Sequence, residues 1–233
     1  LLPGGEGQGR DPMTRVLNAG RKEPLSGDIR SIVVFLHGYG ANGADLLGLA
    51  APLAEHLPDT LFVAPDAPEA CAGAPMGYQW FPIPWIDGAS EEESMRGMQA
   101  AEEDLNAFLN ALMVDEDVLP EQVVLFGFSQ GTMMSLQIAP RREDAVAGIV
   151  AFSGRLLAPE LLKDEAVSKM PILLVHGDQD DVVPVQSLPE AAEALQEAGF
   201  QDVFAHIMKG TAHGIAPDGL SVALAFMRDK LGL

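Results

Sequence analysis

The sequence predicts an α/β fold in which a mostly parallel central sheet carries helices on both faces. Continuous apolar segments alternate with amphipathic segments along most of the chain, a pattern typical of parallel sheets that are buried on both sides. Glycine-rich and polar clusters directly follow the apolar segments, and ligands bind beyond the carboxyl ends of such strands. The length of 233 residues suits one large domain.

The predicted strands and helices alternate in order. Strands are expected at 32–36, 61–64, 123–126, 146–152, 172–175 and 203–208. Helices are expected at 44–56, 91–114, 132–139, 159–168, 188–198 and 217–230. Ser90 and Glu93 form a capping box before the second helix. A further edge strand is expected around Arg15, Val16 and Leu17.

Two stretches of the chain do not follow this alternation. Residues 1–12 are rich in glycine and are expected to be a disordered tail or an expression remnant, which leaves 13–233 as a single domain. Residues 69–89 form a long excursion with glycines and aromatic side chains. No second domain or internal repeat is predicted.

Composition limits the partners that we expect. The formal net charge is −20, from 34 acidic and 14 basic residues, and such a surface repels nucleic acids and anionic membranes. Cys71 is the single cysteine, so no intrachain disulfide can form, which fits a reducing, cytoplasmic compartment. No apolar run approaches the ~20 residues of a membrane span. We expect a small-molecule substrate, no stable membrane association, and a monomer or homodimer.

Residues 127–131, Gly-Phe-Ser-Gln-Gly, lie between a predicted buried strand and a predicted helix. A G-x-S-x-G motif in that setting predicts a nucleophile elbow, a tight turn that places Ser129 in a strained conformation at the sheet edge. The flanking glycines leave room for the neighbouring strand and helix. The N-terminus of the following helix points its N–H groups at developing negative charge. Ser129 is therefore the candidate nucleophile.

A serine nucleophile needs a base, and the base needs an orienting acid. On this type of sheet they follow in the order serine, acid, histidine. His213 lies in a glycine-rich loop after the last strand and is the candidate base. The other histidines are interpreted as structural. His37 and His176 lie in turns after strands, His56 lies at a helix end, and His206 lies within a strand.

The acid must come from the turn that contains Asp178, Asp180 and Asp181. Asp180 fits a His-Gly-x-x-Asp-x-x-Val-Pro spacing and is favoured, with Asp181 as the alternative. The remaining carboxylates are interpreted as turn-forming or solvated groups.

The oxyanion of an acyl-transfer intermediate requires two backbone donors. The N–H of Gln130 follows the nucleophile, and the N–H of Tyr39 lies in the early His37–Gly40 loop, where Gly38 and Gly40 permit close approach. The alternative interpretation is that these glycines only form a tight turn.

These motifs together resemble the phospholipase/carboxylesterase family, small α/β-hydrolases without a large lid domain that include acyl-protein thioesterases and bacterial carboxylesterases. The resemblance covers residue 30 to the C-terminus. It implies Ser129 as nucleophile, Asp180 as acid, His213 as base, and Tyr39 and Gln130 as oxyanion donors. It also places a loop with Trp80 and Phe81 near the acyl pocket. We expect Trp80, Phe81 and Met133 to contact the substrate, and ordinary packing of the loop on the core is the alternative interpretation of Trp80, Phe81 and Trp85.

The resemblance implies a serine carboxylesterase that hydrolyses short- to medium-chain esters through an acyl-enzyme. It implies no cofactor, and no Cys/His spacing indicates a metal site. Acyl-protein thioesterase or lysophospholipase activity, acyl transfer or perhydrolysis, and a catalytically inactive binding protein are the alternatives. Tyr39 and the loop from Tyr78 to Trp85 are more similar to bacterial esterases than to eukaryotic thioesterases.

Overall fold

The computed structural model describes residues 14–233, so the predicted tail at 1–12 lies outside the described residues. Its main element is a seven-stranded sheet. The strands of this sheet are β1 Ala19–Lys22, β2 Ser31–Leu36, β3 Thr60–Pro65, β6 Val123–Phe128, β7 Gly148–Phe152, β8 Ile172–Gly177 and β9 Val203–Met208, and β4 Glu69–Ala70 pairs with β5 Tyr78–Gln79 in a separate ribbon.

The strand order across the main sheet is β1-β3-β2-β6-β7-β8-β9. Every neighbouring pair is parallel except β1 with β3, which is antiparallel. The register places Leu36 of β2 beside Gly127 of β6, and Phe128 of β6 beside Phe152 of β7. The carboxyl ends of β2, β6, β7, β8 and β9 therefore meet along one edge. The predicted mostly parallel sheet is confirmed.

Helices cover both faces of the sheet. They are α1 Gly43–Leu47, α2 Ala50–Ala54, α3 Pro84–Asp87, α4 Glu91–Asp115, α5 Gln130–Ile138, α6 Pro159–Glu165, α7 Ser187–Glu197 and α8 Pro217–Lys230. Residues of α1, α2 and α8 pack on one face, whereas residues of α4, α5, α6 and α7 pack on the other. Within residues 14–233, no helix combines the length and the hydropathy that crossing a membrane requires.

The protein has two hydrophobic cores, one on each face of the sheet. The alternation of side chains along β2 explains why both form. Ile32, Val34 and Leu36 join the core under α4 and α5, while Val33 and Phe35 join the core under α1 and α8. All five side chains have no exposed surface. Because successive strand residues point to opposite faces, a strand buried on both faces must be apolar at every position.

Two predicted elements differ from the structure. No strand lies at residues 15–17, because the Arg15 N–H donates to Asp104 Oδ1 at 2.6 Å and the guanidinium binds the same carboxylate, so β1 begins only at Ala19. The predicted helix at 44–56 is divided into α1 and α2. Gly48 follows α1, and its low helix propensity accounts for the interruption.

Candidate active site

Ser129 lies between the end of β6 and the start of α5, with φ 54° and ψ −115°. A positive φ at a residue with a side chain is strained and persists only where the surrounding structure enforces it. The Ser129 N–H donates to Phe152 O at 2.9 Å, and the Met133 N–H donates to Ser129 O at 3.1 Å. The serine is thus held by the neighbouring strand and by the first turn of α5, as the predicted elbow requires.

The glycine two residues after Ser129 has a steric explanation. A Cβ atom at Gly131 would overlap the carbonyl oxygen of Leu36 in β2. Any side chain here would push the start of α5 away from the sheet. Gly131 therefore permits the close helix–strand contact on which the elbow depends.

Asp180 and His213 form a direct contact. Asp180 Oδ2 lies 2.7 Å from His213 Nδ1, and the Asp180 side chain is fully buried. Asp180 Oδ1 accepts the N–H groups of Val182 and Val183, both at 2.9 Å. Both carboxylate oxygens are therefore fixed, and one of them faces the imidazole.

The charge of Asp180 is maintained despite burial. Burial raises the pKa of this carboxyl, but the hydrogen bond from His213 and the N–H groups of Val183 and Val182 outweigh it, so that the pKa lies below its usual value. An ionised Asp180 is an orienting partner for the Nδ1–H of His213.

The other carboxylates of this turn have different partners. Asp178 Oδ1 accepts the Gly210 N–H at 2.7 Å, which ties the turn to the loop after β9. Asp181 is exposed. Of the three aspartates in the turn, Asp180 alone is placed against His213 in the described residues.

Phe128 connects the candidate nucleophile Ser129 to the candidate base His213. It directly precedes Ser129, and its ring centroid lies 4.9 Å from that of His213, with 47° between the ring planes. Contact with an aromatic ring restricts the orientation of the imidazole. Phe128 therefore packs on the imidazole of His213.

His37 and His176 occupy structural positions, as predicted. His37 Nδ1 lies 2.8 Å from Gly38 O, its Nε2 accepts the Ala67 N–H at 2.9 Å, and burial lowers its pKa. His176 Nε2 lies 2.8 Å from Val183 O and 3.3 Å from Asp180 Oδ2, the same oxygen that contacts His213. Across residues 14–233, no group of three or more His, Cys, Asp or Glu side chains could hold a metal ion.

The two predicted oxyanion donors lie near Ser129. A Cβ atom at Gly38 would stand 3.2 Å from Ser129 Cβ, which shows how closely the early loop approaches the nucleophile. The Tyr39 N–H has no acceptor among the described residues. The Gln130 N–H begins α5, where helix N–H groups lack an intrahelical partner. Both groups are thus available to an anion.

The Gln130 side chain has a role that the sequence did not indicate. Its Oε1 accepts the Trp80 N–H at 2.9 Å, and its Nε2 donates to Phe81 O at 2.8 Å. The side chain has no exposed surface. The amide therefore fixes the loop after β5 against α5, while the N–H of the same residue remains available.

The structure corrects the prediction that Trp80 contacts substrate. Trp80 has no exposed surface, and its indole N–H donates to His37 O at 2.9 Å. Its large ring fills the core beneath the loop, so the packing alternative holds for this residue. Phe81 and Met133 instead line a surface groove.

This groove, which we call the α3–α4 groove, has a volume of about 280 Å³. Most of its lining is apolar, and Met133 connects it to the first turn of α5 beside Ser129. Trp85, on its rim, is 75% exposed. Arg155 contributes a charged side chain. The other lining residues include Ile83, Pro84, Glu91, Ser94, Met95, Met98, Leu157 and Ala158.

The parallel sheet, the strained serine after β6 and the aspartate–histidine pair after β8 and β9 are the features of an α/β-hydrolase. Residues 24–231 match the model of the phospholipase/carboxylesterase family. The chain belongs to that family, which confirms the resemblance and the α/β-hydrolase fold.

Individual relatives agree with this assignment. The crystal structure of esterase PE8 is 42% identical in sequence, with a TM-score of 0.88, and the match covers 93% of this chain and 100% of that chain. Acyl-protein thioesterase 1 of Saccharomyces cerevisiae is 32% identical over 216 residues, which cover 87% of this chain and 93% of the yeast protein. Esterase YpfH of Escherichia coli is 27% identical, covering 85% of this chain and 82% of its own length. The chain is thus a hydrolase similar to carboxylesterases and acyl-protein thioesterases.

Proposed function

We propose that the protein hydrolyses short- to medium-chain carboxylic esters through an acyl-enzyme intermediate on Ser129. The observation that carries this proposal is the 2.7 Å contact between His213 Nδ1 and the buried Asp180 carboxylate, at the same sheet edge as the strained serine. An imidazole oriented through Nδ1 has Nε2 free to accept a proton from a serine hydroxyl.

In the first half of the reaction, Ser129 Oγ attacks the ester carbonyl carbon as His213 removes the hydroxyl proton. The carbonyl π electrons move to oxygen, where the N–H groups of Tyr39 and Gln130 stabilise the negative charge. When the intermediate collapses, the bond to the leaving oxygen breaks and His213 returns the proton to that oxygen. In the second half, water repeats these steps on the acyl-enzyme and releases the carboxylic acid.

The α3–α4 groove is the proposed acyl site. Met133 lies at the end nearest Ser129, and Met95 and Met98 continue the apolar lining. Methionine side chains adapt to chains of different shape. A volume of about 280 Å³ lies just below the ~300–1,000 Å³ typical of ligand pockets. This size supports a preference for short to medium acyl chains.

Thioester hydrolysis is the second candidate function. The similarity to the yeast acyl-protein thioesterase supports it, and the same proposed triad would serve both reactions, because only the leaving atom changes from oxygen to sulfur. The exposed Trp85 and the open groove would accommodate an acyl chain that is attached to a larger molecule.

The proposed function is tested with p-nitrophenyl esters from acetate to palmitate and with octanoyl thioesters, assayed beside Ser129→Ala. We expect kcat/KM to rise to a maximum at a short or medium chain and then to fall, and we expect Ser129→Ala to abolish turnover. A maximum at palmitate would contradict the proposed chain-length preference, and a higher kcat/KM for the octanoyl thioester than for the matched octanoate ester would favour the thioesterase function. Full activity in Ser129→Ala would contradict both.

A further inference from the structure

A second groove lies on the opposite face of the sheet from the α3–α4 groove, because its apolar lining belongs to the core under α1 and α8. We call it the His213-side groove; it has a volume of about 360 Å³ and is lined by Gly38, Asp45, Leu46, Leu49, Phe128 and Ile215, among others. The two grooves have no lining residue in common in the described part of the chain.

The position of the second groove relative to the base is well defined. Phe128, on its wall, packs against the imidazole of His213 with 4.9 Å between ring centroids. Ile215, also on its wall, is two residues beyond His213 in the same loop. Gly38, which also lines the groove, is the position whose Cβ would stand 3.2 Å from Ser129 Cβ. The groove therefore runs from the nucleophile along the side occupied by the base.

The chemistry of acylation determines which part of the substrate lies on the side of His213. As the Ser129 Oγ–carbon bond forms and the ester carbon–oxygen bond breaks, the proton taken from Ser129 must pass from His213 to the departing oxygen. That oxygen must lie within hydrogen-bond reach of the imidazole. The group attached to it then extends along the His213 side, whereas the acyl chain extends toward Met133.

We propose that the His213-side groove binds the alcohol or thiol portion of the substrate and selects leaving groups that are apolar and either uncharged or cationic. This inference rests on the proposed function. It adds to that function a second specificity site, separate from the acyl site, on the leaving-group side of the scissile bond.

The lining of the groove supports this selectivity. Leu46, Leu49 and Ile215 present apolar side chains, and each methylene that moves from water into such a site favours binding roughly fourfold. Asp45 is the one carboxylate in the lining, and its Oδ2 is fixed by the Asn42 N–H at 3.0 Å. The buried His37, whose pKa is lowered, supplies no opposing positive charge. An anionic leaving group would therefore be disfavoured.

Butyrate esters of methanol, butanol and hexanol test the apolar part of the proposal, since all three form the same butyryl-enzyme. In the wild-type protein we expect kcat/KM to rise with alcohol length. Leu49→Trp should lower the hexyl-to-methyl ratio of kcat/KM at least tenfold by filling the groove, and Ile215→Trp, in a different segment, should act in the same direction. Leu25→Trp, at a position 57% exposed in the loop between β1 and β2, is the matched control and should retain the wild-type ratio.

A matched acyl variant separates the two sites. Met98→Trp should change the dependence on acyl length among p-nitrophenyl esters and leave the hexyl-to-methyl ratio of the butyrates unchanged. If folded Leu49→Trp and Ile215→Trp both keep the wild-type ratio, the leaving-group site is refuted while Ser129-dependent hydrolysis stands. If Ser129→Ala hydrolyses the esters, the proposed function itself fails.

The charge preference is tested with butyrylcholine and its uncharged analogue of the same shape, 3,3-dimethylbutyl butyrate. We expect the wild-type protein to favour butyrylcholine, and Asp45→Asn to reduce the ratio of the two kcat/KM values about two- to fivefold, because a solvent-exposed charge interacts weakly. Asparagine can still accept the Asn42 N–H, so the start of α1 is retained. An unchanged ratio in Asp45→Asn would overturn the charge selectivity.

Discussion

His213 Nδ1 lies 2.7 Å from Asp180 Oδ2, and the Asp180 side chain has no exposed surface. A buried carboxylate in this position fixes both the tautomer and the orientation of the imidazole. Two backbone N–H groups on the other carboxylate oxygen keep the acid in place. The proposed acid–base pair is therefore held in place by contacts within the protein itself.

Replacement of Asp180 by asparagine should lower kcat by about 10⁴-fold, because the amide favours the wrong tautomer of the imidazole. Asp181→Asn changes the same charge at an exposed neighbouring position and is the matched control. Steady-state kinetics on one ester measure both. A large loss in Asp181→Asn together with a small loss in Asp180→Asn would reverse the assignment of the acid.

Replacement of Gln130 by alanine should destabilise the fold by about 2–4 kcal/mol, because the buried Trp80 N–H and Phe81 carbonyl would each lose a partner. Urea unfolding measures this loss. Gln122→Ala removes an amide that bonds Arg30 O at an exposed site and should cost much less. Equal losses in the two variants would mean that the Gln130 amide does not brace the loop.

Replacement of Gly131 by alanine should destabilise the protein by about 1–3 kcal/mol, because the added methyl group overlaps the Leu36 carbonyl. The same change should lower its activity. Gly73→Ala, where a Cβ would meet no atom within 4 Å, is the control and should be close to neutral. Thermal unfolding and esterase assays of the two variants make the comparison. Wild-type stability in Gly131→Ala would refute the tight contact between β2 and α5.

The stability of the fold should decrease as the pH falls below about 6.5, the ordinary pKa of histidine. Burial lowers the pKa of His37, so the unfolded chain binds more protons than the folded chain in this range, and protonation favours unfolding. Urea midpoints at pH 7.5 and 5.5 should differ less in His37→Asn than in the wild-type protein. An equal difference in both would show that His37 does not contribute.

Much of the fold and of the proposed triad could be predicted from the sequence, for a physical reason. A strand buried on both faces must be apolar throughout, as Ile32 to Leu36 are, and that pattern is visible in one dimension. Ser129, Asp180 and His213 all follow parallel strands, and the carboxyl ends of those strands share one edge, so residues distant in sequence are brought to the same edge. α8 begins at Pro217 and ends at Lys230 as predicted, because proline at a first helical position is a local signal.

The side-chain contacts across the site could not be predicted, because they join distant segments. Trp80 resembles an exposed loop aromatic residue in sequence, yet its indole N–H reaches His37 O and the ring is fully buried. The Gln130 amide bonds to residues about fifty positions earlier. Neither contact has a periodic or local signal. The edge strand was misplaced for the same reason, since Asp104 binds Arg15 from a separate helix.

The most direct test of the central claim is to locate the site of covalent modification. The protein is treated with a fluorophosphonate, digested, and mapped by mass spectrometry, with Ser129→Ala and Ser153→Ala in parallel. Ser153 is a suitable control because it is a fully buried serine at the end of the adjacent strand β7. We predict that the wild-type protein and Ser153→Ala carry the phosphonyl group on Ser129 and that Ser129→Ala carries none. Modification of a different residue at wild-type rate in Ser129→Ala would contradict the proposed mechanism.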